Sequence, residues 1–144
     1  MANECCATQA NIMLLACSGG SNVGQLANQA AVELTREGFG RMYCLAGIGG
    51  RLSGFVQSAR DVANMVVVDG CEVGCAAAVF KENAIPLRNH VVVTDLGIAK
   101  NRNLELRRDD IDDVKDAVRA MGALPDPRRL DPRPAMTGGC CGGD

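Results

Sequence analysis

Short aliphatic runs, each closed by turn residues and followed by apolar residues at three- and four-residue spacing, recur along this chain and restrict it to alternating strands and helices. The first run, Ile12 to Ala16, ends at Cys17 in a glycine-rich turn from Ser18 to Gln25. Leu26, Ala27, Ala30, Ala31 and Leu34 then form one helical face, with Asn22 as the expected cap and Gly38 as the stop. Met42 to Ala46 reads as a second strand, Gly47 to Gly50 as a loop, and Leu52, Phe55, Val56 and Ala59 as a second helical stripe. A third run, Val66 to Val68, is stopped by Asp69, and the helix after it runs through Ala76 to Phe80 before Pro86. His90 to Thr94 makes a fourth strand, ended by Asp95, Leu96 and Gly97. Ile111, Val114, Val118 and Met121 are the buried stripe of a last helix from Asp109 to Met121, whose early aspartates suit the positive end of its dipole.

Alternation of this kind implies an α/β fold with a mainly parallel sheet, because right-handed crossovers return each helix to a face of the sheet. Strands that are apolar almost throughout agree, since a sheet covered on both faces has no solvated side. The expected architecture is a single doubly wound domain of about four strands in the order 2-1-3-4 with helices on both faces, its ligand crevice at the C-terminal ends of the first and third strands. At 144 residues the chain has room for one core. That core is expected over residues 11–122, between a flexible arm at 1–10 and a Pro/Gly-rich tail at 123–144 that ends in Cys140 and Cys141.

Net charge is −2, no basic block is present and there is no Trp, which removes both the electrostatic footprint and the stacking platform of a nucleic-acid binder. Met1 to Cys6 has no basic leader and no long apolar segment follows, so the expectation is a cytoplasmic protein with no membrane partner. In such a compartment eight cysteines point to metal or redox chemistry and away from a disulfide framework.

The cysteines form two groups. Cys5, Cys6, Cys140 and Cys141 are adjacent pairs near the ends, with no assigned role, and Cys17, Cys44, Cys71 and Cys75 lie in the body. Asp69 with Glu72 three residues on has the pattern of a capping box, which predicts a helix beginning at once, with Cys71 in its first turn and Cys75 one turn later on the same face. Cys17 ends the first strand and Cys44 lies late in the second, so all four fall at one edge of the expected sheet. Four thiolates suit a soft or borderline cation, and Zn²⁺ in particular takes tetrahedral sulfur ligation. The preferred reading is a protein that holds Zn or another thiophilic metal or metalloid through Cys17, Cys44, Cys71 and Cys75, for storage, sensing or delivery. Two others stay open. One is a thiol redox or sulfur-transfer protein using Cys71 with Cys17 or Cys75; the other is inert packing, which applies most to Cys44 inside its strand.

Other motifs carry less. Gly19 and Gly24 have the spacing of a phosphate loop, but Gln25 and Leu26 stand where Lys and Ser/Thr are needed. Gly47 to Leu52 fails the dinucleotide fingerprint, with Leu52 at its third glycine. His90, the one histidine, is expected to be structural, on the side of the sheet away from the cysteines, and Asp95 to be a turn residue close to the site at most.

Ala16 to Leu26, Cys44 to Gly50, Asp69-Gly70-Cys71 with Cys75, and Thr94 to Gly97 together resemble the DGC-domain family, named for its Asp-Gly-Cys motif and described as zinc-binding through four cysteines. The resemblance spans about Asn11 to Ala120. It implies ligation by Cys17, Cys44, Cys71 and Cys75, carries no established reaction, and gives nothing to the terminal cysteine pairs.

Overall fold

A computed structural model describes residues 12–122, so the expected arm, the tail and the cysteines at 5, 6, 140 and 141 lie outside the described residues. Strand β1 is Ile12–Ala16 and helix α1 is Asn22–Arg36. They are followed by β2 (Arg41–Met42), α2 (Leu45–Gly49), α3 (Ser53–Asp61) and β3 (Asn64–Asp69). Helix α4 (Cys75–Glu82), β4 (His90–Val92), a 3₁₀ turn over Val93–Leu96 and α5 (Arg108–Gly122) complete the chain. All strand pairs are parallel and the sheet order is β2-β1-β3-β4, as the alternation predicts.

Side-chain alternation along the strands divides the core between the two faces. Ile12, Leu14 and Ala16 of β1 with Val66 and Val68 of β3 meet the apolar stripes of α1 and α5. Met13, Leu15, Met65 and Val67 point the other way, onto Ile48 of α2, Ala59 of α3 and Ala76 and Phe80 of α4. Burial on both faces is why the strands carry no polar alternation. Among the described residues no helix is long and apolar enough to cross a membrane.

Four local expectations are corrected. The cap of α1 is Ser21, whose hydroxyl accepts from the Gly24 N–H at 3.3 Å, and Asn22 is the first helical residue. The second strand stops at Met42, so Cys44 lies beyond it, and Leu45–Gly49 is a helix where the end of that strand and the loop from Gly47 were expected. The glycines there serve packing: a Cβ on Gly47 would come within 2.7 Å of the Phe55 ring, while Ile48 in the same turn is fully buried. The fourth strand is shorter than expected because the chain turns into the 3₁₀ segment, where Thr94 N–H donates to Gly70 O at 3.2 Å.

Helices α1 and α5 are also joined by charge. Glu33 accepts from Arg108 Nη2 at 2.7 Å and from Lys115 Nζ at 3.1 Å, and Glu37 pairs with Lys115 and Arg119. Lys115 is buried, and its ammonium meets a carboxylate from each of the two glutamates. The Arg108 guanidinium beside Glu33, helped by Gln29 and Lys115, holds the Glu33 carboxyl far below the usual carboxylate range. A carboxylate depressed by folding stabilises the fold fully above its ordinary unfolded value and loses that contribution as the pH falls toward its folded value. Thermal melts from pH 7 down to pH 2 are therefore expected to show a steeper acid loss in the wild type than in Glu33→Gln; identical slopes would remove Glu33 from the acid response.

Candidate functional site

The C-terminal ends of β1 and β3 meet at glycine backbone. A Cβ on Gly24, in the first turn of α1, would come within 2.5 Å of Gly19 O, and one on Gly70 within 2.7 Å of Gly24 N. Hydrogen at Gly24 lets the turn after β1 close onto the start of α1, and hydrogen at Gly70 lets the turn after β3 lie directly on that start. Cys17 and Cys71, one from each turn, are brought to the same edge by this contact.

Cys17 is half-buried. Its N–H donates to Val68 O at 3.0 Å, and its sulfur accepts from the Gly70 N–H at 3.3 Å. Burial pushes the Cys17 thiol up from its ordinary range. The N–H groups of Gly19 and Gly70 pull the other way but do not overcome it, and the Asp69 carboxylate and Cys75 add to the rise. The turn beyond Cys17 is braced from within: Gln25 Nε2 donates to Ser18 O at 3.2 Å and to Gly19 O at 2.9 Å, and Ser18 itself has φ +51. The residue that stands where a phosphate loop needs lysine thus ties down the loop's own carbonyls.

Asp69 caps the helix expected after β3, but that helix starts later than its spacing to Glu72 predicts. Helix α4 begins at Cys75, after Gly74 in the left-handed region at φ +68, so Cys71 lies in the preceding loop and the two cysteines are not one helical turn apart. From its place at the end of β3 the Asp69 carboxylate reaches forward, accepting from Ala76 N at 2.8 Å and Ala77 N at 3.1 Å. Glu72 is exposed and the capping box does not form. The physical reason is Gly70, whose tight seat on α1 leaves the chain unable to turn into a helix until it has cleared that contact. His90 is likewise corrected: its Nε2 lies 2.8 Å from Asp69 Oδ2, so β4 is joined to the carboxylate that seats the cysteine helix. Asp95 is exposed in the 3₁₀ turn.

Cys75 is exposed at the start of α4, and Cys44 is exposed at the residue before α2. Cys44 is accordingly no core residue. All four body cysteines are free thiols, and together they border two cavities. A cavity of about 200 Å³ is edged by Cys17, Cys71 and Cys75 with the glycine turn and Lys100. A second, of about 650 Å³, is edged by Cys17, Cys44 and Cys75 and is otherwise largely apolar. Cys17 and Cys75 are common to both. Among the described residues, no group of three or more His, Cys, Asp or Glu side chains is drawn close enough to hold a metal ion as it stands.

Two residues have contacts at this edge that the sequence reading did not give them. Lys100 Nζ donates to Cys71 Sγ at 3.3 Å, placing a cation against the sulfur. Asn22 puts it there: Asn22 Nδ2 donates to Ala99 O at 2.8 Å and Asn22 Oδ1 accepts from Asn101 N at 2.6 Å, so both neighbours of Lys100 are clamped to the start of α1. A polar Asn in the first turn of an otherwise apolar helix face was the one signal available.

The fold and the site define a doubly wound α/β protein with a cysteine-lined crevice at its switch point. The chain belongs to the DGC domain family, whose model matches residues 13–118. It is 34% identical over 88 residues to the anaerobic and virulence modulator AnvM of Pseudomonas aeruginosa, covering 61% of this chain and 67% of that protein. No solved structure matches the chain.

The cation beside Cys71 makes a direct prediction, since a fixed positive charge favours approach of an anion over that of a neutral molecule. Wild-type Cys71 should be alkylated by iodoacetate relative to iodoacetamide several-fold more readily than Cys71 of Lys100→Met, as read by peptide mass mapping at low salt. Equal reagent ratios in the two proteins would show that Lys100 does not act on this sulfur.

Proposed function

We propose that this chain binds a soft ion, zinc or another thiophilic metal or metalloid, as cargo through Cys17, Cys71 and Cys75, with Cys44 as a fourth sulfur. The observation that carries the reading is the sharing of Cys17 and Cys75 between two adjoining cavities, which sets Cys71 on one side of that pair and Cys44 on the other. Sulfur donors suit soft and borderline cations, and a full tetrahedral set needs sulfurs at about 2.3 Å from zinc. Closure to that geometry falls on the two exposed thiols: Cys44 precedes a five-residue helix and Cys75 opens α4, while Cys17 is pinned by backbone N–H groups. A protein with two apolar clusters of its own needs no ion to complete its core, so storage, sensing or delivery suits this site better than a structural staple. Among these uses, sensing agrees with the name of the relative, a modulator.

Binding should compete with protons for the sulfurs, most strongly at Cys17, whose raised thiol must lose its proton on ligation. Titration of the reduced full chain with Cd²⁺ is expected to give a sulfur-to-metal charge-transfer band that saturates near one equivalent and weakens as the pH is lowered from 8 to 6. Cys17→Ser and Cys75→Ser should each cut affinity on the order of 100-fold, with a smaller loss in Cys44→Ser. The reading is lost if neither Cd²⁺ nor Zn²⁺ stays with the wild type through desalting.

A second reading, thiol exchange at Cys71 with Cys17 or Cys75 as resolving partner, is favoured by the Lys100 contact, because an ammonium beside the sulfur draws an anionic disulfide such as oxidised glutathione toward it. Metal-free protein incubated with oxidised glutathione should then carry a Cys71 mixed disulfide that resolves to an internal bond. Cys71 left unmodified after such treatment would end this reading.

A further inference from the structure

We infer that the cargo of this site is a soft metal or metalloid that carries one small apolar organic group, an inference that rests on the ion-binding reading above. A bare ion uses only the sulfurs. The cavity of about 650 Å³ beside them is far larger than an ion needs and falls in the range of small-molecule sites. Met42, Tyr43, Leu45 and Val79 of α4 line it, and its largely apolar lining contains no carboxylate, Lys, Arg or His to attract a polar molecule. The ring of Tyr43 is held by Phe55, with centroids 5.4 Å apart, so this wall is supported from the core side. Three cysteines, Cys17, Cys44 and Cys75, border the same space. An apolar cavity with soft nucleophiles in its wall selects a molecule that is apolar at one end and thiophilic at the other.

A monosubstituted arsenic(III) species, R–As(OH)₂, illustrates the chemistry. Two thiols, Cys17 and Cys75, each form an As–S bond while two As–O bonds break; each thiol proton leaves with a hydroxide as water. Arsenic stays trivalent, the As–C bond is kept, and no oxidant or reductant is needed. Cys17 and Cys75 are the pair assigned because they border both cavities, which leaves R directed into the apolar one and the cavity beside Lys100 and the glycine turn open for the two departing waters.

The test titrates the reduced full chain with arsenite and with phenylarsine oxide, wild type beside Gly49→Leu. Gly49 borders the apolar cavity, and a Cβ there would lie 3.5 Å from Val79 Cγ2, an ordinary contact, so leucine fills the space without removing a sulfur. Loss of the space for a phenyl ring should weaken phenylarsine oxide by roughly tenfold or more, with arsenite changed by less than about twofold. Met42→Gln, at a second residue of the lining, supplies an independent variant and should give the same selective loss. Equal effects on both arsenicals, or none on either, overturn the organic-group assignment while arsenite binding leaves the ion-binding reading intact. A wild type that binds Cd²⁺ but neither arsenical also overturns the assignment alone, whereas failure with Cd²⁺, Zn²⁺ and both arsenicals removes both.

Discussion

The carboxylate of Asp69, 1% exposed at the end of β3, holds together the parts from which the site is made. It accepts two N–H groups from the first turn of α4 and lies against the His90 ring at the start of β4. A buried charge is costly unless it is hydrogen-bonded, and here the bonds come from two different elements, α4 and β4. Cys71 and the loop after it are strung between the two ends of this arrangement, because the chain leaves the sheet at Asp69 and is returned to Asp69 at Ala76. Asp69 therefore acts on the sulfurs by position, and it also raises the thiol of the neighbouring Cys17 by its charge.

Backbone contact does on the other side what the carboxylate does on this one. Gly24 and Gly70 let the first and third turns touch without side chains between them, and Gln25 and Asn22 then secure what the glycines bring close. Cys17 is the rigid member of the set, fixed by main-chain donors. Cys44 and Cys75 are its exposed partners, each at the start of a helix, and Cys71 alone has a cation beside it. Four residues of one kind are thus placed in four different environments, and the environments, more than the count, separate a pinned sulfur from exposed ones.

Much of this was legible in the residues. The aliphatic runs at 12–16 and 66–68 and the stripes at 26–34 and 111–121 gave their elements directly, because burial on both faces leaves no ambiguity of period. Gly47 to Gly50 misled, since a glycine chosen for contact with Phe55 looks the same in sequence as a glycine chosen for a loop. Asp69 misled in a related way: its spacing to Glu72 described a local cap, while its real donors lie seven and eight residues on.

By itself the sequence determined the parallel α/β architecture, because hydrophobic period and crossover handedness are local or nearly local constraints; it favoured the order 2-1-3-4 without fixing it, and it assigned Cys17, Cys44, Cys71 and Cys75 to one sheet edge. Tertiary structure alone decided the partners of those sulfurs. Lys100 meets Cys71 across 29 positions, His90 meets Asp69 across 21, and Asn22 meets Asn101 across 79. Hydrogen bonds of this span depend on where whole elements come to rest, and no periodicity or spacing in the chain records them.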